Sequence, residues 1–394
     1  MSRHVVIWTI VVIFVVIILT GSFYLFVIKK IGCTITRCTQ ITEQKSETEK
    51  IREVKKTPIS LNSLHVTGWI PDWDYADGFT TLKEQVSTFG SISPFLYELQ
   101  TEGTLKEMRF EVDQELIDFT AQNDIELVPT ITGFDANIIS DMLNNESSRD
   151  THIAAIVETV TSHNFDGIDL DYESVYYADK EVFFSFLETL SYELHSQQKK
   201  LVFTAVAKWG DEDVTYSYAP QTRAVFDYKR LADLADELRV MTYDYTSRDS
   251  MYHGPVGPIG WAEDVIRYAI YAGVPREKLV LGVPTYGFDW TERPAIPRIS
   301  YSPFIYMRSD ENMPSARAYY RESLDEIFAV NEVATIFNDE WGEAVGTYIN
   351  EDGEKRVVVY PTQESLDLRK QLAADYGIKG VAYWRLGDGG ELQY

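Results

Sequence analysis

Cysteine is nearly absent from this 394-residue chain: there are only Cys33 and Cys38, close together near the start. No disulfide framework can therefore hold the bulk of the chain, which needs a hydrophobic core of its own. The two thiols could close a small loop, cross-link two chains or stay free. Basic residues are also scarce, with 36 Lys and Arg against 61 Asp and Glu and a net charge of −25. That balance disfavours a nucleic-acid partner, because phosphate binding needs a basic face, and gives no general attraction to anionic cell-wall polymers or anionic lipid heads. Histidines are few: His4, His65, His152, His163, His195 and His253. None shows ligand spacing such as His-Glu-x-x-His, so no metal is expected. There is no Gly-x-Ser-x-Gly, P-loop or dinucleotide fingerprint, and hence no cofactor is expected. Asn145-Glu-Ser147 is a formal glycosylation sequon, a match short enough to arise by chance.

Long apolar runs are missing too, with one exception. Residues 5–28 are apolar except for Thr9, Thr20, Gly21 and Ser22. A bilayer takes about 20 residues, whereas the apolar part of a cleaved signal takes about 7–15. No Ala-x-Ala site follows the run, and Cys33 lies outside any lipobox. We read residues 1–30 as an uncleaved transmembrane signal anchor. Residues 31–60 read as a charged tether or short exposed helix, dense in Glu and Lys between 43 and 56.

What the chain does have is a regular rhythm from His65 onward. Short apolar runs alternate with longer amphipathic stretches, the pattern of a parallel α/β fold. Strands are expected at 66–69, 91–97, 126–132, 167–171, 201–207, 238–244, 279–283 and 380–384. Helices are expected at 114–121, 153–162, 181–197, 228–234, 262–272 and 363–376. Between 288 and 362 the rhythm changes, and 341–349, Asn350-Glu-Asp-Gly353 and 355–360 read as a strand–turn–strand hairpin.

The most informative stretch is Asp166-Gly-Ile-Asp169-Leu-Asp171-Tyr-Glu173. Side chains two apart on a strand share a face, so Asp169, Asp171 and Glu173 line one side while Ile168, Leu170 and Tyr172 take the other. Three adjacent carboxylates repel, and repulsion raises at least one pKa. A raised carboxyl pKa suits a general acid at neutral pH.

This octapeptide resembles the signature of glycoside hydrolase family 18, the chitinase-like TIM barrels. Met241-Thr-Tyr243-Asp244 resembles the family's sixth-strand motif, Leu281-Gly-Val-Pro-Thr-Tyr286-Gly287 its seventh, and Gly380-Val-Ala-Tyr-Trp384 its last. The resemblance implies a (β/α)8 barrel over 61–394 with a small α+β insertion after the seventh strand, at about 289–361. It implies a retaining glycosidase acting on β-1,4 bonds of N-acetylglucosamine-containing polysaccharide by substrate assistance, outside the usual two-carboxylate scheme. Glu173 would be the acid. Asp171 would hold the substrate's acetamido N–H, and Asp169 would share its proton or simply brace the barrel. Tyr243 would bond the acetamido oxygen, Asp244 would brace the sugar or its neighbours, and Trp384 would form the floor. Trp69, Tyr97, Tyr286 and Trp290 are candidate stacking groups. Pro129-Thr-Ile-Thr-Gly133-Phe134 departs from the Ser-x-Gly-Gly usual in the family's chitinases. That run, with Tyr383-Trp-Arg-Leu-Gly387, looks more like the bacterial spore-cortex and cell-wall branch, which implies peptidoglycan as substrate. Chitin, or silent sugar binding on the same barrel, are the alternatives; Glu173, which silent relatives typically lose, argues for catalysis. A polysaccharide substrate also implies an extracytoplasmic catalytic domain, although the charges flanking the apolar run (Arg3 before; Lys29, Lys30 and Arg37 after) mildly favour the opposite orientation.

Overall fold

The computed structural model describes residues 48–108, 113–210, 220–248, 250, 253–292, 317–319, 321–387 and 392–394. The chain divides into two units, residues 1–53 and 54–394. Of the first, only 48–53 are described, and 48–52 are helical. The apolar run 5–28, expected as a transmembrane helix, and both cysteines lie outside the described residues. Among the described residues no helix is long and apolar enough to cross a membrane.

The second unit contains a closed parallel barrel. In chain order its strands are β1 (His65–Ile70), β2 (Ser91–Leu99) with the short antiparallel β3 (Leu105–Glu107) on its end, β4 (Glu126–Leu127) and β5 (Thr130–Gly133), β6 (Gly167–Tyr172), β7 (Lys200–Val206), β8 (Glu237–Met241) and β9 (Leu279–Pro284). The last barrel strand is Gly380–Trp384. β1 pairs in parallel with both this last strand and β2, which closes the ring. The third barrel strand is split into β4 and β5, and Pro129, which has no N–H for a ladder, stands at the break.

Helices fill the outer layer: α1 (Tyr75–Glu84), α2 (Gln114–Gln122), α3 (Ala136–Asn144), α4 (Glu146–Ser162), α5 (Lys180–Ser196), α6 (Pro220–Val225), α7 (Tyr228–Leu234) and α8 (Ile259–Tyr271). Several begin on a side-chain cap that satisfies orphan amides. Asp113 accepts from Glu115 N, Asp135 from Asn137 N, and Asp227 from Arg230 N. Asn145 of the formal sequon caps α4 by accepting from Ser148 N. α5 buries Phe183, Phe184, Leu187, Leu190 and Leu194, a stripe at helical spacing, against the sheet. From the sheet, Ile168 and Leu170 meet the helical layer with no exposure. Full burial of such a side chain stabilises by roughly 1.5–3 kcal/mol, which locks β6 in register and forces its alternate residues inward.

After β9 the chain leaves the barrel for an antiparallel sheet. Its strands are β10 (Gly287–Thr291), β11 (Arg317–Tyr319), β12 (Ala334–Asn338), β13 (Glu343–Ile349) and β14 (Lys355–Tyr360), with α9 (Arg321–Val330) beside them. The order is β11-β10-β14-β13-β12. The hairpin read from the sequence is β13–β14, and it lies within this larger sheet. α10 (Gln363–Tyr376) returns the chain to the barrel's last strand, β15 (Gly380–Trp384). A Thr362–Ser365 capping box starts α10, and Gly377, at φ 61°, ends it in the left-handed region that suits glycine.

Candidate active site

Three carboxylates of the octapeptide share the inward side of β6 and its C-terminal end. Asp169 is deepest and fully buried. Its Oδ2 accepts from Trp69 Nε1 at 2.8 Å and Thr130 Oγ1 at 3.0 Å. Its Oδ1 accepts from Thr204 Oγ1 at 2.8 Å. These donors come from β1, β5 and β7, so the acid is fixed by three strands. Asp171 lies one step higher and is 4% exposed, yet its Oδ1 has no hydrogen-bond partner among the described residues. Burial pushes its carboxyl well above the usual range, and Glu173 and Asp169 add to the shift. An unpaired buried acceptor is costly, and it sits where a ligand N–H could satisfy it.

Glu173 follows the end of β6, with its amide donating to Gly133 O at 3.2 Å. Burial raises its carboxyl to about 7, with the Asp244 charge contributing. A carboxyl of this pKa is protonated in about half the molecules at neutral pH, as a general acid requires.

Tyr243 and Asp244 follow β8. The strand expected through 244 ends at Met241, because Asp244 adopts φ 56° and turns the chain away from the ladder. The Tyr286 hydroxyl donates to Asp244 Oδ1. The packing around Asp244 raises its carboxyl, while Tyr286 and Arg248 oppose the shift. The Tyr243 hydroxyl is raised by burial and by the charges of Asp171, Glu173, Asp244 and Asp169, in that order. All four acids and this phenol therefore belong to one electrostatic cluster. Trp384 ends β15 and is partly open. Its ring lies 5.0 Å from Phe95, 6.1 Å from Trp69 and 6.1 Å from Trp73.

The candidate stacking aromatics divide differently from the sequence expectation. Trp69, Tyr97, Tyr286 and Trp290 are at most 4% exposed. Trp69 spends its N–H on Asp169, and Tyr286 spends its hydroxyl on Asp244. Trp290 packs on Phe288 within the apolar cluster under the inserted sheet. Aromatic faces open to solvent beyond the strand ends include residues that sequence reading passed over as platforms: Trp73 at 47%, Phe134 at 54% and Tyr177 at 53%. Each follows the C-terminal end of a barrel strand, the end where active sites of this fold lie. Their place just beyond an apolar run was the available signal. Among the described residues, no group of three His, Cys, Asp or Glu could hold a metal ion.

Comparisons with known proteins give the family and the fold. A family profile described as glycosyl hydrolases family 18 matches residues 38–389. A Bacillus subtilis (strain 168) protein named provisionally as a sporulation-specific glycosylase is 26% identical over 301 residues, 75% of this chain and 65% of the relative. The chain thus spans just under two thirds of that relative. The cortical fragment-lytic enzyme of Bacillus anthracis is 25% identical over 322 residues, 77% of this chain and 67% of its own. Among solved structures, the spore cortex-lytic enzyme SleL of Bacillus megaterium QM B1551 superposes with TM-score 0.69 at 23% identity, covering 84% of this chain and 73% of that one. A chitinase from Chromobacterium violaceum ATCC 12472 gives TM-score 0.71 at 21% identity, covering 83% and 96%. At these identities the two structures speak for the fold. With the profile spanning most of its length and the carboxylate run at the barrel mouth, the chain belongs to glycosyl hydrolases family 18.

Proposed function

We propose that this chain is a retaining glycosidase that cleaves N-acetylglucosaminyl bonds of peptidoglycan by substrate assistance. The observation that carries the reading is the succession, at the end of β6, of a buried Asp171 whose Oδ1 has no partner among the described residues and then Glu173, whose carboxyl burial raises to about 7. In the first step Glu173 gives its proton to the glycosidic oxygen. The bond from that oxygen to the anomeric carbon breaks as the substrate's acetamido oxygen attacks the same carbon, forming an oxazolinium. Asp171 accepts the acetamido N–H, and the Tyr243 hydroxyl donates to the acetamido oxygen. Asp244 braces the sugar, and the Trp384 face supports the ring. Water then attacks the anomeric carbon as the bond from that carbon to the acetamido oxygen breaks and the acetamido group re-forms; the water's proton passes to Glu173, and configuration is retained after two displacements. The names of the cortex-lytic relatives favour a bacterial wall glycan over chitin.

The test is product analysis on purified peptidoglycan and on chitin hexamer. We expect muropeptide-sized fragments ending in reducing N-acetylglucosamine, released with retained anomeric configuration by NMR. An inverted product sinks substrate assistance. A tenfold or greater preference for chitin hexamer, about 1.4 kcal/mol in transition-state binding, moves the substrate to chitin with the same residues in place.

We also propose that residues 5–28 anchor the enzyme in a membrane with the barrel on the extracytoplasmic side. The support for the span is the length and purity of the run; the orientation rests on the polysaccharide substrate, against the flanking charges. Full-length protein is expected in the membrane pellet, released by detergent and not by high salt. Recovery in the soluble fraction without cleavage would remove the anchor.

A further inference from the structure

The barrel interior beneath Asp169 carries charges that the proposed chemistry does not use. Arg239, on the inward side of β8, is fully buried. Its Nη1 donates to Ser93 Oγ at 2.6 Å and stands 3.6 Å from Asp169 Oδ2. Its Nε donates to Glu237 Oε2 at 3.1 Å. The guanidinium carbon lies 5.6 Å from the centre of the Trp69 ring, whose N–H also holds Asp169. Glu237 in turn receives Lys379 Nζ at 2.7 Å and faces His65 Nε2 at 3.7 Å. Charges of alternating sign thus run from the site to the barrel floor: Asp169, Arg239, Glu237, then Lys379, with His65, lowered by burial from its ordinary value, beside Glu237. Apolar packing fills such an interior at least as stably as buried ions do, so stability gives no reason for this chain of charges.

The geometry around Asp169 supplies a reason. Its Oδ2 meets an indole N–H and a guanidinium, neither of which can accept a hydrogen bond. A proton on Oδ2 would displace one of these contacts, and a proton on Oδ1 would require Thr204 Oγ1 to turn from donor to acceptor. A proton on Asp171 displaces nothing, since Asp171 Oδ1 has no partner among the described residues. We propose that Arg239 is a positioning residue that pins the negative charge of the Asp169–Asp171 pair on Asp169 and leaves Asp171 as the pair's proton carrier in the free enzyme. The inference deepens the glycosidase reading, because it fixes which acid enters the cycle protonated. Three neutral donors hold Asp169 from β1, β5 and β7, and Arg239 on β8 is the cation facing it. Asp171 faces Asp169, Glu173 and Tyr243. The base of the chain is held firmly: although burial alone would raise it, Arg239, Lys379 and His65 keep the Glu237 carboxyl at about 2.

Removing an opposite charge at this range raises a carboxyl pKa by about one unit or more. The full chain is prepared as Arg239→Met, Arg239→Lys and the double variant Arg239→Met with Glu237→Gln, which leaves no new unpaired anion beside the cavity. Carboxyl titration of ¹³C-aspartate-labelled protein without substrate is followed by NMR, together with the acid limb of kcat/KM on an N-acetylglucosamine oligomer. In either methionine variant we expect the first protonation of the pair and the acid limb to move up by about one pH unit or more, and in the lysine variant both to return toward the parent. If Arg239 only braces the barrel, the folded variants melt earlier while the titration stays in place, and the proposal falls. Should Arg239→Met alone fail to fold, the double variant decides. The substrate-free titration stands apart from the glycosidase reading: it can succeed even where the oligomer is not cleaved.

Discussion

Glu173→Gln is expected to lower turnover at least about a hundredfold, the lower end of what a positioned general acid contributes, while sugar binding is largely kept. The amide preserves the shape of the carboxyl and can still form hydrogen bonds, but it has no proton to give the leaving oxygen. The sign of the pH dependence follows from the same group. Burial and the Asp244 charge place the carboxyl at about 7. The acid works protonated, so on the alkaline side parent activity falls as pH rises through that value. The glutamine variant keeps only residual activity and loses that alkaline limb, because the group that titrates there is gone. Steady-state rates from pH 5 to 9, with binding of an N-acetylglucosamine oligomer measured by calorimetry, check both points. Near-parental turnover in the variant would remove Glu173 from the mechanism, and an alkaline limb persisting in it would assign that limb elsewhere.

Where local chemistry and tertiary packing agree, the sequence was enough to place an element. β6 is legible because acids and apolar residues alternate with period two and both faces are used, one by the helices and one by the site. α7, α10, β14 and β15 appear at the expected bounds; α10 shows why, with Thr362 at its start and Gly377 at its end. α1 was missed because its apolar residues are sparse and Gly78 weakens its helical signal. The structure explains that glycine: a Cβ there would stand 2.6 Å from Ile70 Cγ2, so the helix rests directly on β1. β10 and β12 were missed because five-residue strands on a sheet outside the barrel carry no rhythm to read.

The site was legible in its acids and less so in its aromatics. Spacing puts Asp169, Asp171 and Glu173 on one face whatever surrounds them. Whether an aromatic at a strand end turns inward or lies open depends on the loop that follows, and Trp69 and Trp73 illustrate both outcomes four residues apart. Arg239 was visible as a charge inside an apolar run, with Glu237 two residues before it on the same face. That period-two spacing within a strand marks inward charges, as it does in the octapeptide.

The second large effect lies where the inserted sheet meets the barrel. Glu343, at the start of β13, has no exposure. Its carboxylate accepts from Val256 N and Gly257 N at 2.8 Å each, ahead of α8, and from Arg369 Nη2 at 2.9 Å on α10. One side chain thus joins the insertion, a loop beyond β8 and an outer helix. Glu343→Ala leaves a buried guanidinium without its carboxylate and two amides without an acceptor. Removing one partner of a buried pair costs about 3–5 kcal/mol, and denaturant unfolding of the variant should show a loss of that size. The apolar cluster of Tyr286, Phe288, Trp290, Val357 and Val359 has Tyr243 and Trp384 packed against it, so a loosened insertion should also weaken substrate binding and raise KM more than it lowers kcat. The pair is not superior to apolar packing: burial pushes the Glu343 carboxyl up, despite Arg369 and the two amides. Glu343→Leu with Arg369→Met should therefore recover much of the stability lost in Glu343→Ala, since no charge is left buried alone. The double variant unfolding as early as the single one would show that the cost lies in the orphaned amides of Val256 and Gly257; a single variant as stable as the parent would mean that the insertion is held by its apolar contacts alone.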